Sequence, residues 1–214
     1  MNKITVIDYG MGNVFSVARA FEHCGAEVLL TDKPSEILSA SHLVLPGVGA
    51  FADGMQELRK RSLTSVILEY VSSNKPFIGI CLGMQMLFDA TEEFGIHEGL
   101  GIIKGNVVAI PVNGNDGRSR KVPHIGWNKV MVKSSFQGND PVFKSLDHSF
   151  YSYFVHSYTA IPSDEKTILA DCDYQGFAVT AAVKQNNVYG CQFHPEKSGE
   201  TGLSIIRNFI SLTA

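Results

Sequence analysis

Two short stretches of this chain could jointly do nucleophilic chemistry. Cys81 stands between Gly79 and Gly83 in Lys75-Pro76-Phe77-Ile78-Gly79-Ile80-Cys81-Leu82-Gly83-Met84-Gln85. This is the G-x-nucleophile-x-G pattern of a strand-to-helix elbow, with cysteine in place of serine. Such a turn strains the backbone at its apex, and glycines on both sides leave room for it. It would hold the sulfur clear of a sheet at the positive end of a helix, where a thiolate is favoured. The competing reading is a small buried hydrophobe at the end of a parallel strand. Far down the chain, His194-Pro195-Glu196 follows another apolar run. Residues two apart in extended chain point to one side, so His194 and Glu196 can meet. A cysteine nucleophile needs a base to take its proton, and that base needs an acceptor on its other ring nitrogen. A loop histidine and a solvated glutamate are the bland alternatives. Zinc deaminases also use H-x-E, but they require a P-C-x-x-C downstream, and no cysteine follows Cys191.

Two further stretches bear on such a reaction, and a third tempts toward a cofactor. Leu45-Pro46-Gly47-Val48-Gly49-Ala50-Phe51 is either a tight turn or a source of a backbone donor for an oxyanion, beside the Leu82 N–H. Glycines on both sides of Val48 would let the Gly47–Val48 peptide change orientation with little steric resistance. Val122-Pro123-His124-Ile125-Gly126-Trp127-Asn128 places the single tryptophan at a loop-to-strand junction, as core or, if exposed, as a partner anchor. Gly10-Met11-Gly12 with Asp32 hints at a dinucleotide fingerprint, but Phe15 occupies the third glycine position and is too large for close helix–strand packing. No cofactor or metal is expected.

The elements that must position these residues read as alternating strands and helices. Ile4 to Asp8, Glu27 to Leu30, Leu43 to Leu45 and Phe77 to Ile80 have the apolar runs of buried strands. Val14, Val17, Ala18, Phe21 and Cys24 recur at helical spacing, as do Pro34 to Ala40 and Asp53 to Val71, the last broken near Ser62. A helix is expected from Leu82 through Phe88. Beyond it, Gly101 to Ile110, Asn128 to Val132, Phe150 to Tyr158, Thr167 to Cys172, Phe177 to Lys184 and Val188 to Phe193 read as strands in near succession. A polar loop, Pro111 to Val122, interrupts them, and a helix from Gly202 to Leu212 closes the chain. The expected fold is α/β: a single domain over residues 1–214, a three-layer flavodoxin-like α/β/α sandwich with a mostly parallel sheet and an antiparallel extension in the C-terminal half.

A chain of 214 residues can bury a core without staples, and a net charge of −3 gives no reason to expect nucleic acid or an anionic membrane as partner. Cys24, Cys81, Cys172 and Cys191 form no CxxC pair, and Met1 to Ile4 runs straight into a strand with no signal peptide, so a cytoplasmic location is expected.

Taken together these stretches resemble the triad-type, class I glutamine amidotransferases, and within them the glutaminase subunits of imidazole glycerol phosphate synthase. The likeness rests on Asp8 to Asn13, Leu45 to Phe51, Gly79 to Gln85, Val122 to Asn128, Tyr153 to Tyr158 and Gly190 to Gly199. The resemblance implies Cys81 as nucleophile, His194 as general acid and base, and Glu196 as its orienter. It implies an oxyanion hole at the Val48 and Leu82 amides, and glutamine held near Gly49, Gln85, Glu93, His156, Ser157 and Tyr158. The implied partner is a (β/α)8-barrel cyclase facing Met11, Asn13, Trp127, Tyr153 and Lys197. The cyclase would use the ammonia to make imidazole glycerol phosphate, a histidine precursor, and aminoimidazole carboxamide ribotide. A paralogue feeding a related synthase, such as one aminating a sugar, a self-sufficient cysteine hydrolase of glutamyl amides and a non-catalytic interaction module remain alternatives.

Overall fold

The architecture comes from a computed structural model that describes residues 2–114, 119–144 and 146–213. Residues 115–118 of the polar loop lie outside the described residues. The chain opens with β1 (Lys3–Ile7), α1 (Val14–His23), β2 (Glu27–Thr31), α2 (Pro34–Ser39) and β3 (His42–Gly47). Asn13 caps α1 by accepting the Ser16 N–H at 3.3 Å, and Pro34 opens α2 where no N–H is needed. The long helical pattern that follows is two helices, α3 (Phe51–Lys60) and α4 (Leu63–Ser72), separated at Ser62, whose φ of 56° is left-handed. Then come β4 (Phe77–Cys81) and the one-turn helix α5 (Leu82–Gln85).

The remainder is mainly strands: β5 (Ala90–Thr91), β6 (His97–Glu98), β7 (Gly105–Ala109), β8 (His124–Val132), β9 (Ser149–His156), β10 (Tyr158–Pro162), β11 (Ile168–Tyr174), β12 (Phe177–Gln185) and β13 (Val188–Cys191). Helix α6 (Gly199–Ile210) ends the fold. The main sheet has nine strands in the order β2-β1-β3-β4-β13-β12-β11-β8-β9. Its first five strands pair in parallel and the rest antiparallel, as the sequence implies. Alternation on the buried strands sends Val6, Val44 and Ile78 into the core shared with α1 and α6. Ile7, Leu43, Leu45 and Phe77 enter the opposite core, with α2, α3 and α4. No helix among the described residues is long and apolar enough to cross a membrane.

Three expectations are corrected. The helix after Cys81 stops at Gln85 rather than Phe88. The Leu87 and Phe88 N–H groups bond to the Met84 and Gln85 carbonyls three residues back, as in tight turns, and the Met86, Leu87 and Phe88 carbonyls accept from the Leu100, Ile103 and Gly101 N–H groups. Phe150 to Tyr158 is not one strand: the chain leaves the main sheet at Ser157, and β10 pairs with β7 in a second, four-stranded sheet, β10-β7-β5-β6. The segment from Gly101 is extended only from Gly105 onward.

Both glycines of the elbow are needed for close approach. A Cβ at Gly79 would lie 2.5 Å from the Gly83 carbonyl oxygen, and one at Gly83 would lie 1.9 Å from the Leu45 carbonyl oxygen of β3. Neither neighbour is a side chain that can swing away. Gly83→Ala should therefore lower stability by at least about 3 kcal/mol in urea titration. Stability within about 0.5 kcal/mol of the parent would mean that the elbow does not pack on β3 as described.

Candidate active site

The site forms where three neighbouring parallel strands end. In the ladder, Gly47 of β3 lies beside Cys81 of β4. On the other side Cys191 of β13 pairs with Ile80, so the next residue, Gln192, comes level with Cys81, and His194 follows two further on. Parallel pairing puts all three carboxyl ends on one rim, where open α/β sheets place their sites. Cys81 has φ 55° and ψ −111°, a conformation that costs a non-glycine residue roughly 1–3 kcal/mol and is kept only where packing imposes it. The strained apex presents the thiol to a cavity of about 320 Å³.

His194 and Glu196 meet as their spacing implies: His194 Nδ1 donates to Glu196 Oε1 at 2.7 Å, with both side chains almost wholly buried. That bond leaves Nε2 to face the chemistry. Nε2 is buried and makes no hydrogen bond of good geometry, although His194 and Cys81 line the same cavity. Burial pulls the His194 pKa down, but the sulfur and the Glu196 carboxylate outweigh it and hold it up, to about 9. The arrangement suits an imidazolium beside an anionic sulfur, a pair that attacks as thiolate and returns a proton as acid.

Around Cys81 and His194 the same cavity is lined by Val48, Gly49, Leu82, Gln85, Glu93, His156, Ser157 and Tyr158, every position that the resemblance assigns to the oxyanion and to glutamine. Gly49 has φ 98°, the left-handed region that favours glycine. Gln85 donates from Nε2 to the Tyr158 carbonyl at 3.1 Å and to Gln192 Oε1 at 2.9 Å. Glu93 accepts the Phe51 N–H at 2.7 Å, so it also holds the first turn of α3. The five expected partner-facing residues are reached by solvent, and Trp127 is 57% exposed, which excludes the core-packing reading. Trp127 packs edge-on against Tyr153, and Gly199, the first residue of α6, lies close to the Cη2 atom of its ring. Asp32 pairs with Arg61, whose guanidinium lies against Gly10, the glycine that tempted toward a dinucleotide.

Sequence reasoning gave no role to His124 or Gln192. His156 Nδ1 faces the Tyr158 carbonyl at 2.7 Å and must donate to it. Its Nε2 is therefore an acceptor, and His124 Nδ1 donates to it at 2.9 Å. Both rings are neutral: burial depresses His124 to about 4 and His156 to about 3. Gln192 is fully buried and donates to Cys81 Sγ at 3.8 Å. A polar residue inside the apolar run Val188 to Phe193 was the signal that could have found it.

A strained cysteine, a histidine–carboxylate pair and a ligand-sized cavity define an α/β amidohydrolase of the thiol type. The family profile described as Glutamine amidotransferase class-I matches residues 5–212. A Legionella pneumophila (strain Lens) protein named imidazole glycerol phosphate synthase subunit HisH 1 is 51% identical, over 99% of this chain and 100% of that protein. A Sulfurimonas denitrificans HisH subunit is 46% identical over 96% of each. Among solved structures, the PurLQS structure from Thermotoga maritima shares the fold at a TM-score of 0.72 and 18% identity, covering 97% of both chains. The chain belongs to the class-I glutamine amidotransferases, and within them to the HisH subunits of imidazole glycerol phosphate synthase.

The neutral histidine pair makes stability depend on pH. The unfolded chain protonates both rings below about 6.5, whereas the folded chain refuses those protons until about 4 or 3. The unfolded state thus binds more protons, and stability is lost as pH falls from about 6.5 toward 4. Urea midpoints should drop between pH 7 and pH 5, and drop less in His124→Gln; equal pH slopes for the two proteins would contradict the neutral pair.

Proposed function

We propose that this chain hydrolyses glutamine through a Cys81 thioester and passes the ammonia to a cyclase subunit of imidazole glycerol phosphate synthase, in histidine biosynthesis. The observation that carries the reading is the convergence of Cys81 and the His194–Glu196 pair on one cavity, fixed by the pairing of β4 with β13. The thiolate attacks the side-chain amide carbon of glutamine, and the carbonyl electron pair moves onto oxygen, facing the Val48 and Leu82 amides. His194 Nε2 gives its proton to the leaving nitrogen and ammonia departs. Water then loses a proton to His194 and attacks the thioester. The carbon–sulfur bond breaks, its electron pair returns to sulfur, and glutamate leaves.

The cavity supports two ends of a glutamine pose. Glu93 supplies a carboxylate for the α-ammonium, while Gly49, Gln85, Ser157 and the Tyr158 backbone face the rest of the amino acid; His156, held neutral, adds no competing charge. The docking surface for the cyclase includes the exposed apolar face of β8 and β9 around Trp127 and Tyr153, with the solvent-reached Met11, Asn13 and Lys197 as further contacts. Ammonia released into neutral water is protonated and loses its nucleophilicity, so a sealed passage to the acceptor is a chemical requirement. A cytoplasmic location suits Cys24, Cys81, Cys172 and Cys191, all present as free thiols.

Reconstitution with the cyclase tests this. Cys81→Ala should abolish glutamine-dependent synthesis and leave synthesis from added ammonium salt intact. His194→Ala should cost more than Glu196→Gln, because losing the base removes more than misorienting it. Loss of both nitrogen sources together in Cys81→Ala would make Cys81 structural, and full glutaminase turnover without a cyclase would make the chain a stand-alone hydrolase.

A further inference from the structure

We propose that Gln192 is a catalytic residue of this centre, its side-chain amide donating a hydrogen bond that holds Cys81 Sγ in the anionic state. The proposal rests on Cys81 being the nucleophile.

The first support is position. Cys191 pairs with Ile80 across β13 and β4, so Gln192 stands level with Cys81 on the adjoining strand. Its backbone is tied to β12 by a Gln192 N–H bond to the Ala181 carbonyl at 2.9 Å. The side chain has no solvent exposure, so its amide must find partners within the protein.

The second support is orientation, which the surrounding bonds dictate. The Tyr158 carbonyl can only accept, and it receives both His156 Nδ1 at 2.7 Å and Gln85 Nε2 at 3.1 Å. Gln85 therefore turns its NH2 group inward, and the second N–H of that group meets Gln192 at 2.9 Å. The atom it meets must accept, so it is Oε1. Gln192 is left with its NH2 group toward Cys81 Sγ, at 3.8 Å. A backbone carbonyl thus fixes, through two amides, which end of Gln192 the sulfur sees.

A donor fixed on this side of the sulfur favours one protonation state. When the thiol proton passes to His194 Nε2, the electron pair stays on sulfur, and an N–H in a site shielded from water stabilises it. Acylation forms the sulfur–carbon bond and leaves a neutral thioester sulfur, a poor acceptor. Deacylation breaks that bond and returns the pair to sulfur, where the same N–H receives it. The bond is thus strongest whenever sulfur carries charge.

The test uses the full chain and iodoacetamide, following Cys81 alkylation by peptide mass across pH, with steady-state glutaminase in the cyclase complex. Gln192→Met and Gln192→Glu should each displace the alkylation rate–pH profile to higher pH by about one unit, the size of one hydrogen bond to a charged acceptor. They should lower kcat about tenfold while glutamine KM stays within about twofold. Gln85→Met frees the Gln192 amide to turn over and should shift the profile in the same direction, which keeps the proposal testable if the Gln192 variants fail to fold. Profiles superimposable on the parent's in cooperatively folded variants overturn the proposal. If the parent alkylated at Cys81 keeps its glutaminase activity, the nucleophile assignment itself falls, a result separate from the Gln192 outcome.

Discussion

Parallel pairing of β4 with β13 is the constraint on which the site depends. Cys81 and Gln192 are 111 residues apart, and no local signal draws them together. The ladder from Val188↔Phe77 to Cys191↔Ile80 sets their register to the residue. A slip of one position would send every side chain of β13 to the opposite face, separating His194 from the sulfur and burying the wrong partner beside it. The strands of this pair are buried on both sides, so their apolar side chains resist such a slip from two cores at once. The elbow depends on the same packing. Its strained φ at Cys81 persists because the turn is wedged against β3 and β4, with no room even for a methyl group at Gly83.

Two buried imidazole environments show how the fold assigns different tasks to one side-chain type. His194 has a carboxylate on Nδ1 and a sulfur near Nε2, so its charged form is favoured despite burial. His156 has a backbone carbonyl on one nitrogen and another neutral imidazole on the other, so burial wins and it stays uncharged. The first can carry a proton through a reaction. The second can only hold the Tyr158 carbonyl where Gln85 also reaches it.

Much of this was legible in the sequence, and the failures share a cause. The parallel half could be read because each strand and helix there declares itself by its own period, from Val14 and Phe21 on α1 to Phe77 and Ile80 on β4. The flanking glycines announced the elbow, and the two-residue spacing of His194 and Glu196 announced their bond. Long-range choices were not visible. Nothing local to Phe150 through Tyr158 says that the chain changes sheets at Ser157, because that depends on β7 being free to pair. Nothing in Met86 to Phe88 says that their carbonyls will be taken by Leu100, Gly101 and Ile103. Gln192 was overlooked because its importance lies in the residue on the neighbouring strand. Motif and resemblance pointed to Cys81, His194, Glu196 and the cavity-lining positions, but that they gather at one rim depends on the register of the ladder.

The central claim, that sulfur and imidazole act on one another across that ladder, has a direct spectroscopic test. Nitrogen NMR of His194, in chain labelled at histidine, reports its protonation as pH is raised. With Cys81 intact, the imidazolium should persist through neutrality and titrate near 9. In Cys81→Ala the midpoint should fall, because one of the two side chains that hold the charge is gone. An unchanged His194 titration after removal of the sulfur would contradict the account.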